Sequence, residues 1–151
     1  RNTKLSVFNS VFAGWPAGLY LDGSTTWANA QSGDLQIKNT ILVGMVSNYG
    51  VPSGSSFTTT DVQTWFTDAA RNNSTMVGPK AAKIFGAFLT SNEATTPIVL
   101  PLTGSALLSG ASFIDSKLSD SFFTSTAFRG AFGTEDWTAS WVNWNPQQAA
   151  Y

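Results

Sequence analysis

The chain contains no cysteine and no histidine. Without thiols it forms no disulfide and offers no thiolate, and without imidazole it lacks the commonest general base and the commonest transition-metal ligand. Ser-His-Asp hydrolysis, Cys-His proteolysis and His-ligated zinc hydrolysis are therefore beyond this chain acting alone. Charge is scarce as well: 11% of residues carry one, against about a quarter in ordinary globular domains. Eight basic and nine acidic side chains nearly cancel, and no basic run exists, so nucleic acid and anionic membrane are poor partners. No apolar stretch approaches the length of a membrane span, and no segment reads as a secretory signal.

What fills the chain instead is Ser, Thr, Asn and Gly around a 42% hydrophobic content, enough for one real core in 151 residues. This composition suits an extracellular β-rich domain. The strongest signal is an internal echo. Leu5-Ser6-Val7-Phe8-Asn9-Ser10-Val11-Phe12-Ala13-Gly14-Trp15 aligns without a gap on Leu35-Gln36-Ile37-Lys38-Asn39-Thr40-Ile41-Leu42-Val43-Gly44-Met45, thirty positions later. Leu, Asn and Gly recur identically; Val7/Ile37, Ser10/Thr40 and Val11/Ile41 match in shape. Such spacing is the mark of stacked units, each burying its apolar face against the next.

The repeated unit has strand character. Leu5, Val7, Leu35 and Ile37 alternate with their neighbours at period two. Asn9 and Asn39 interrupt each run at equivalent places, where Asn tolerates left-handed backbone and can stack into a ladder; Gly14 and Gly44 supply the next bend. Leu19, Leu21 and the turn Asp22-Gly23 read as a second strand of the first coil. The fold class expected is mainly β: the end of a right-handed parallel β-helix with one amphipathic helix and a C-terminal aromatic cap. An ordinary β-sandwich with two similar strands is the alternative. Because a solenoid normally needs about three repeats and Arg1 is not an initiator Met, earlier coils are expected to be missing.

One continuous domain is expected, with coils over 1–50, a loop and helix over 51–79, and final coils plus cap over 80–151. In the middle part Val62, Trp65, Phe66, Ala69 and Ala70 share a helical face, Thr60 and Gln63 have capping-box spacing, Asp61 sits in the first turn, and Asn72-Asn73 ends the helix. The sequon Asn73-Ser74-Thr75 reads as part of that ending turn. Such a helix would cover an open flank of the coils. Further on, Lys83 to Leu89 is a short strand or loop, Ile98 to Leu102 is extended, and Gly104 to Ala111 is a small-residue turn.

The run Phe128-Arg129-Gly130-Ala131-Phe132-Gly133-Thr134-Glu135-Asp136-Trp137-Thr138-Ala139-Ser140-Trp141-Val142-Asn143-Trp144-Asn145-Pro146-Gln147 resembles the C-terminal signature of a group of secreted or surface-attached proteins of Bacteroidetes. Its pattern is aromatic-Arg-Gly-Ala-Phe-Gly, then Asp-Trp-Thr, then a Trp and an Asn-aromatic-Asp/Asn-Pro stretch. The resemblance implies a chain of right-handed β-helix character, often a lipoprotein, located outside the cell or on the outer-membrane surface. It implies no activity, and this chain carries Ser140 where that signature usually has Gly.

Physically the signature reads as a cap, with Arg129 clamped beside Glu135 and Asp136, Gly130 and Gly133 easing a tight path, and three indoles covering the last coil. Trp15, Trp27, Trp137, Trp141 and Trp144 are the candidate ligand residues, since exposed indoles stack on sugar faces; packing is the competing role. Catalysis would need clustered carboxylates with calcium or a basic residue. Asp22, Asp34, Lys38, Asp115 and Asp120 are the candidates, and none forms a recognisable pair in sequence. The functions expected are a non-catalytic envelope or secreted protein presenting a rigid face to an outer-membrane protein partner, a polysaccharide-binding module, or a β-helix lyase or hydrolase fragment. No cofactor and no metal are expected.

Overall fold

The computed structural model describes residues 2–84, 98–144 and 146–148. Its order is β1 (Ser6–Phe8), β2 (Val11–Ala13), β3 (Ala17–Tyr20), α1 (Ser24–Ser32), β4 (Gln36–Lys38), β5 (Ile41–Val43), β6 (Ser47–Gly50), α2 (Thr59–Phe66) and β7 (Ser74–Met76). Short 3₁₀ turns lie at Ala69–Arg71, between α2 and β7, and beyond β7 at Ala106–Leu108, Ser116–Leu118 and Pro146–Gln148.

The thirty-residue echo becomes strand pairing. β1 lies parallel to β4 with Val7 opposite Ile37, β2 parallel to β5 with Phe12 opposite Leu42, and β3 parallel to β6 with Leu19 opposite Tyr49. Two rungs of three short strands are thus stacked, each residue on its counterpart. Parallel strands demand a long connection, and α1 provides it. β7 pairs in parallel with β5, Ile41 opposite Ser74, and so begins a third rung. Asn73-Ser74-Thr75 is the entry to this strand rather than a helix-ending turn.

The asparagine corners behave as their chemistry demands. Asn9, Asn39 and Asn72 have φ of 52°, 53° and 52°, the left-handed conformation that Asn adopts more readily than other non-glycine residues. They sit at the same point of successive rungs, and Asn72 Nδ2 donates to Asn39 Oδ1 at 2.9 Å. Gly14 and Gly44 make the next bend at φ 74° and 61°.

Among the described residues two α-helices stand where one was expected. α1 runs between Gly23 and Gly33, the latter in a left-handed C-cap at φ 86°, and the residues it buries are Thr26, Asn29 and Ala30. An inner face this small and polar leaves no apolar stripe to read. α2 is shorter than its pattern suggested. Its capping box is Thr58 with Asp61, not Thr60 with Gln63: Asp61 N donates to Thr58 Oγ1 at 3.2 Å and Thr58 N donates to Asp61 Oδ2 at 2.7 Å. Val62, Trp65 and Phe66 are buried, whereas Ala69 and Ala70 are exposed because the chain has already passed into a 3₁₀ turn.

The main core lies between α1, α2 and the second rung: Leu21, Ala30, Leu35, Ile37, Leu42, Phe57, Val62, Trp65 and Phe66. Trp65 donates from Nε1 to Ala30 O at 2.8 Å, tying α2 to α1. Tyr49 of β6 meets Phe66 at 5.6 Å between ring centroids, so α2 does cover a flank of the strands. A second cluster of Ile41, Val43, Ala82, Ile84 and Leu107 closes the third-rung side.

Ile98 to Leu102 joins no strand. Ala106–Leu108 forms a 3₁₀ turn with Leu107 buried, within the small-residue stretch expected there. Of the segment from Lys83 to Leu89, Lys83 closes a turn, Ile84 follows it, and Phe85 to Leu89 lie outside the described residues.

Candidate functional site

The segment from Ser105 to Gly130 is laid along the asparagine corners as a strap. Ser112 N donates to Asn9 Oδ1 at 2.9 Å and Asn9 Nδ2 donates back to Ser112 O at 3.0 Å. Gly130 N reaches Asn9 O at 2.7 Å, and Asn72 Nδ2 contacts Gly110 O at 3.4 Å. Lys38 Nζ meets Asp115 Oδ2 at 2.7 Å, and Lys117 Nζ donates to Ser6 Oγ at 2.7 Å. The strap therefore holds all three rungs in register.

Arg129 is the buried anchor of this strap, 8% exposed. It makes no clamp with Glu135 and Asp136. Its Nε donates to Gly110 O at 3.1 Å and its Nη2 contacts Asn72 O at 3.4 Å, so the guanidinium joins the strap to the third-rung corner. Burial pulls its pKa below the usual arginine value. Gly110 has φ 84°, a left-handed conformation that glycine adopts without strain, and a Cβ there would press on the Arg129 guanidinium. Asp136 serves its own turn, accepting from Thr138 N at 2.9 Å and from the Thr138 hydroxyl.

The carboxylates considered for catalysis are dispersed. Asp34 pairs with Lys4 at 2.8 Å, and Asp120 accepts from Phe122 N at 2.8 Å. Asp22 lines a cleft with Leu21 and Thr26. Asp115 and Lys38, 77 positions apart, are brought together. The bond from Lys38, then that from the Lys117 amide, holds the Asp115 carboxyl below its usual range; Lys4 does the same for Asp34. Among the described residues no group of three or more Asp or Glu gathers to hold a metal.

The indoles divide into two kinds. Trp27 is half-buried, stacked on Phe57 at 5.1 Å and edge-on to Trp65 at 6.5 Å; its ring is packed into the core. Trp137, Trp141 and Trp144 do not cover the last rung as expected. They are 54%, 66% and 43% exposed. Phe132 stacks on Trp137 at 5.4 Å, Trp137 lies 5.7 Å from Trp141, and the N–H groups of these two indoles are satisfied by carbonyls: Trp137 to Ala131 O, Trp141 to Trp137 O. With the polar ends pinned inward, apolar ring surface faces water.

A second apolar surface lies at the first rung. Among the described residues β1, β2 and β3 each pair on one side only. Leu5, Val7, Phe12, Trp15, Leu19 and Leu42 line a cavity of about 370 Å³ there, and Trp15 is 63% exposed. Sequence reasoning named Trp15 but missed its companions; the signal available was the absence of any charged residue from Leu5 to Leu21. Asn73, read from sequence only as the end of the helix, bridges Thr40 N, Ile37 O and Phe66 O.

No protein-family model, curated protein or solved structure matches this chain. No helix among the described residues is long and apolar enough to cross a membrane.

Proposed function

We propose that the stacked rungs are the end of a right-handed parallel β-helix and that the protein is a non-catalytic element of the cell envelope, presenting a rigid face to a protein partner outside the cell or on the outer-membrane surface. The winding is supported by parallel pairing at the repeat spacing, since parallel crossover connections are overwhelmingly right-handed. The location rests on the resemblance of the Phe128 to Gln147 signature. The observation that carries the binding role is the exposed apolar surface around the cavity of about 370 Å³, where Leu5, Phe12 and Trp15 are 58%, 42% and 63% exposed. Apolar patches of this kind mark interaction sites. Affinity capture from native envelope extract tests it. The parent chain retains a protein through detergent washing, a Phe12→Lys variant loses it, and a Trp141→Ala variant keeps it; equal capture by all three contradicts the reading.

The exposed tail rings favour a second reading, a polysaccharide-binding module. Rings with their N–H groups already satisfied offer CH–π stacking surface to a sugar face. Glycan titration followed by tryptophan fluorescence separates the two: a response lost in Trp141→Ala supports it, and indifference to a broad panel counts against it.

A further inference from the structure

Between the asparagine corners and the strap lies a polar cleft of about 560 Å³, lined by Lys38, Asn39, Ala70, Asn72, Ile114 and Asp115, with Ser112 and Ser116 completing it. No residue of the first rung lines it, and its volume is within the roughly 300–1,000 Å³ of small-molecule sites. The first rung shows what a corner asparagine does when it has a polar partner. Asn9 gives its whole amide to the strap: Oδ1 accepts from Ser112 N at 2.9 Å and Nδ2 donates to Ser112 O at 3.0 Å. Asn39, one rung on, is only half used. Its Oδ1 accepts from Asn72 Nδ2 at 2.9 Å; among the described residues its Nδ2 has no partner, and the residue is 9% exposed. The ladder fixes the carbonyl end of this amide, so its N–H groups are presented to the cleft in one orientation. Beside it Lys38 Nζ and Asp115 Oδ2 meet at 2.7 Å. The pair cancels its charge but not its hydrogen-bonding capacity, since an ammonium has three protons and each carboxylate oxygen accepts more than once. Asp115 Oδ1 takes the Lys117 amide at 3.0 Å and keeps a second lone pair. Ile114, 96% exposed, adds an apolar wall.

We propose that this cleft binds one uncharged pyranose unit of a saccharide. One ring hydroxyl accepts from Asn39 Nδ2, a neighbouring pair of hydroxyls accepts from Lys38 and donates to Asp115, and the C–H face of the ring lies against Ile114 and Ala70. Phosphates and sulfates are opposed by Asp115 and cations by Lys38. A purely apolar ligand would strip the ion pair of water without replacing its hydrogen bonds. A ring of hydroxyls on an apolar frame meets all of these demands together. The site is separate from the tail rings, which contribute nothing to its lining, and it stands independently of them.

The probes are neutral oligosaccharides of glucose, galactose, mannose and xylose, titrated into the full chain with oligogalacturonate as the charged comparison, and amide chemical shifts are followed by NMR. The expected result is saturable movement of the Asn39 side-chain amide and of the backbone amides of Ser112 to Ser116 with at least one neutral sugar, and weaker binding of oligogalacturonate. Ile114 and Ser116 are exposed, and their side chains make none of the bonds that hold the strap. Ile114→Asp and Ser116→Trp should therefore melt like the parent and each raise Kd about tenfold or more, while Trp141→Ala leaves Kd unchanged. Movement confined to the tail indoles and abolished by Trp141→Ala overturns the cleft and leaves the tail platform standing. Tighter binding of oligogalacturonate than of every neutral sugar overturns the uncharged ligand, and a still Asn39 amide with all of the sugars overturns the site.

Discussion

Replacing Asn73 tests how the third rung is joined to the second. Its Oδ1 accepts from Thr40 N at 2.8 Å, and its Nδ2 donates to Ile37 O at 2.8 Å and to Phe66 O at 3.0 Å. One side chain therefore pins the end of α2 and both sides of the Asn39 corner. Thr40 and Phe66 are fully buried, so water replaces little of what Asn73→Ala removes. Three bonds at a net ~1 kcal/mol each give a loss of about 3 kcal/mol. For a chain of this size that is a fall in Tm of roughly 6–12 °C. Asn73→Asp separates hydrogen bonding from size. The new carboxylate still accepts from Thr40 N but faces two carbonyls without a proton to give them, so its folded pKa is raised. Its stability should fall as pH climbs through and above the usual carboxylate range, and recover partly on acidification, when the protonated acid again donates once. Thermal melts of both variants from pH 4 to 8 read this. A loss under about 0.5 kcal/mol for Asn73→Ala, or a pH profile for Asn73→Asp parallel to that of the parent, refutes the reasoning.

Ser140 has φ 76°, and relieving left-handed strain of about 1–2 kcal/mol outweighs the entropy cost of glycine, so Ser140→Gly should stabilise the chain by up to about 1 kcal/mol; denaturant unfolding measures it, and destabilisation contradicts the strain. Asp115 has a lowered folded pKa, so its stabilisation is present above the usual carboxylate pKa and is lost as pH falls through the depressed value. Asp115→Asn should flatten the acid limb of the stability curve and leave a deficit at neutral pH; unchanged urea midpoints at pH 3 and 7 relative to the parent contradict this. Trp27→Ala should cost about 2 kcal/mol or more, short of a fully buried Trp, whereas Trp141→Ala should stay within about 0.5 kcal/mol; chemical denaturation separates a core ring from a surface ring.

The rung stack was legible because Leu5/Leu35, Asn9/Asn39 and Gly14/Gly44 recur identically at one spacing, and identical residues at one spacing survive any register ambiguity. The third rung hid for the opposite reason. Ser74-Thr75-Met76 replaces Ile41-Leu42-Val43, and the step lengthens from 30 to 33, because the strap and second core cluster, not another apolar strand, cover that side. α1 was silent since it buries Thr26 and Asn29 rather than an apolar stripe. The strap could not be read because Arg129 and Asn9 address main-chain groups, which every residue carries. For the candidate site, the tail indoles stood out by composition, but only the pinning of their N–H groups to Ala131 and Trp137 shows which way the rings face.

The parallel register of the rungs supports every other statement, and the absence of native cysteine makes it directly measurable. In a Ser6→Cys, Gln36→Cys chain the two residues are register partners, within the ~4.4–6.8 Å between Cα atoms that a disulfide spans. Mild oxidation should close an intramolecular disulfide quantitatively in the folded protein, while a Ser6→Cys, Ile41→Cys chain should remain reduced. Closure of the second pair and not the first would contradict the stacked rungs.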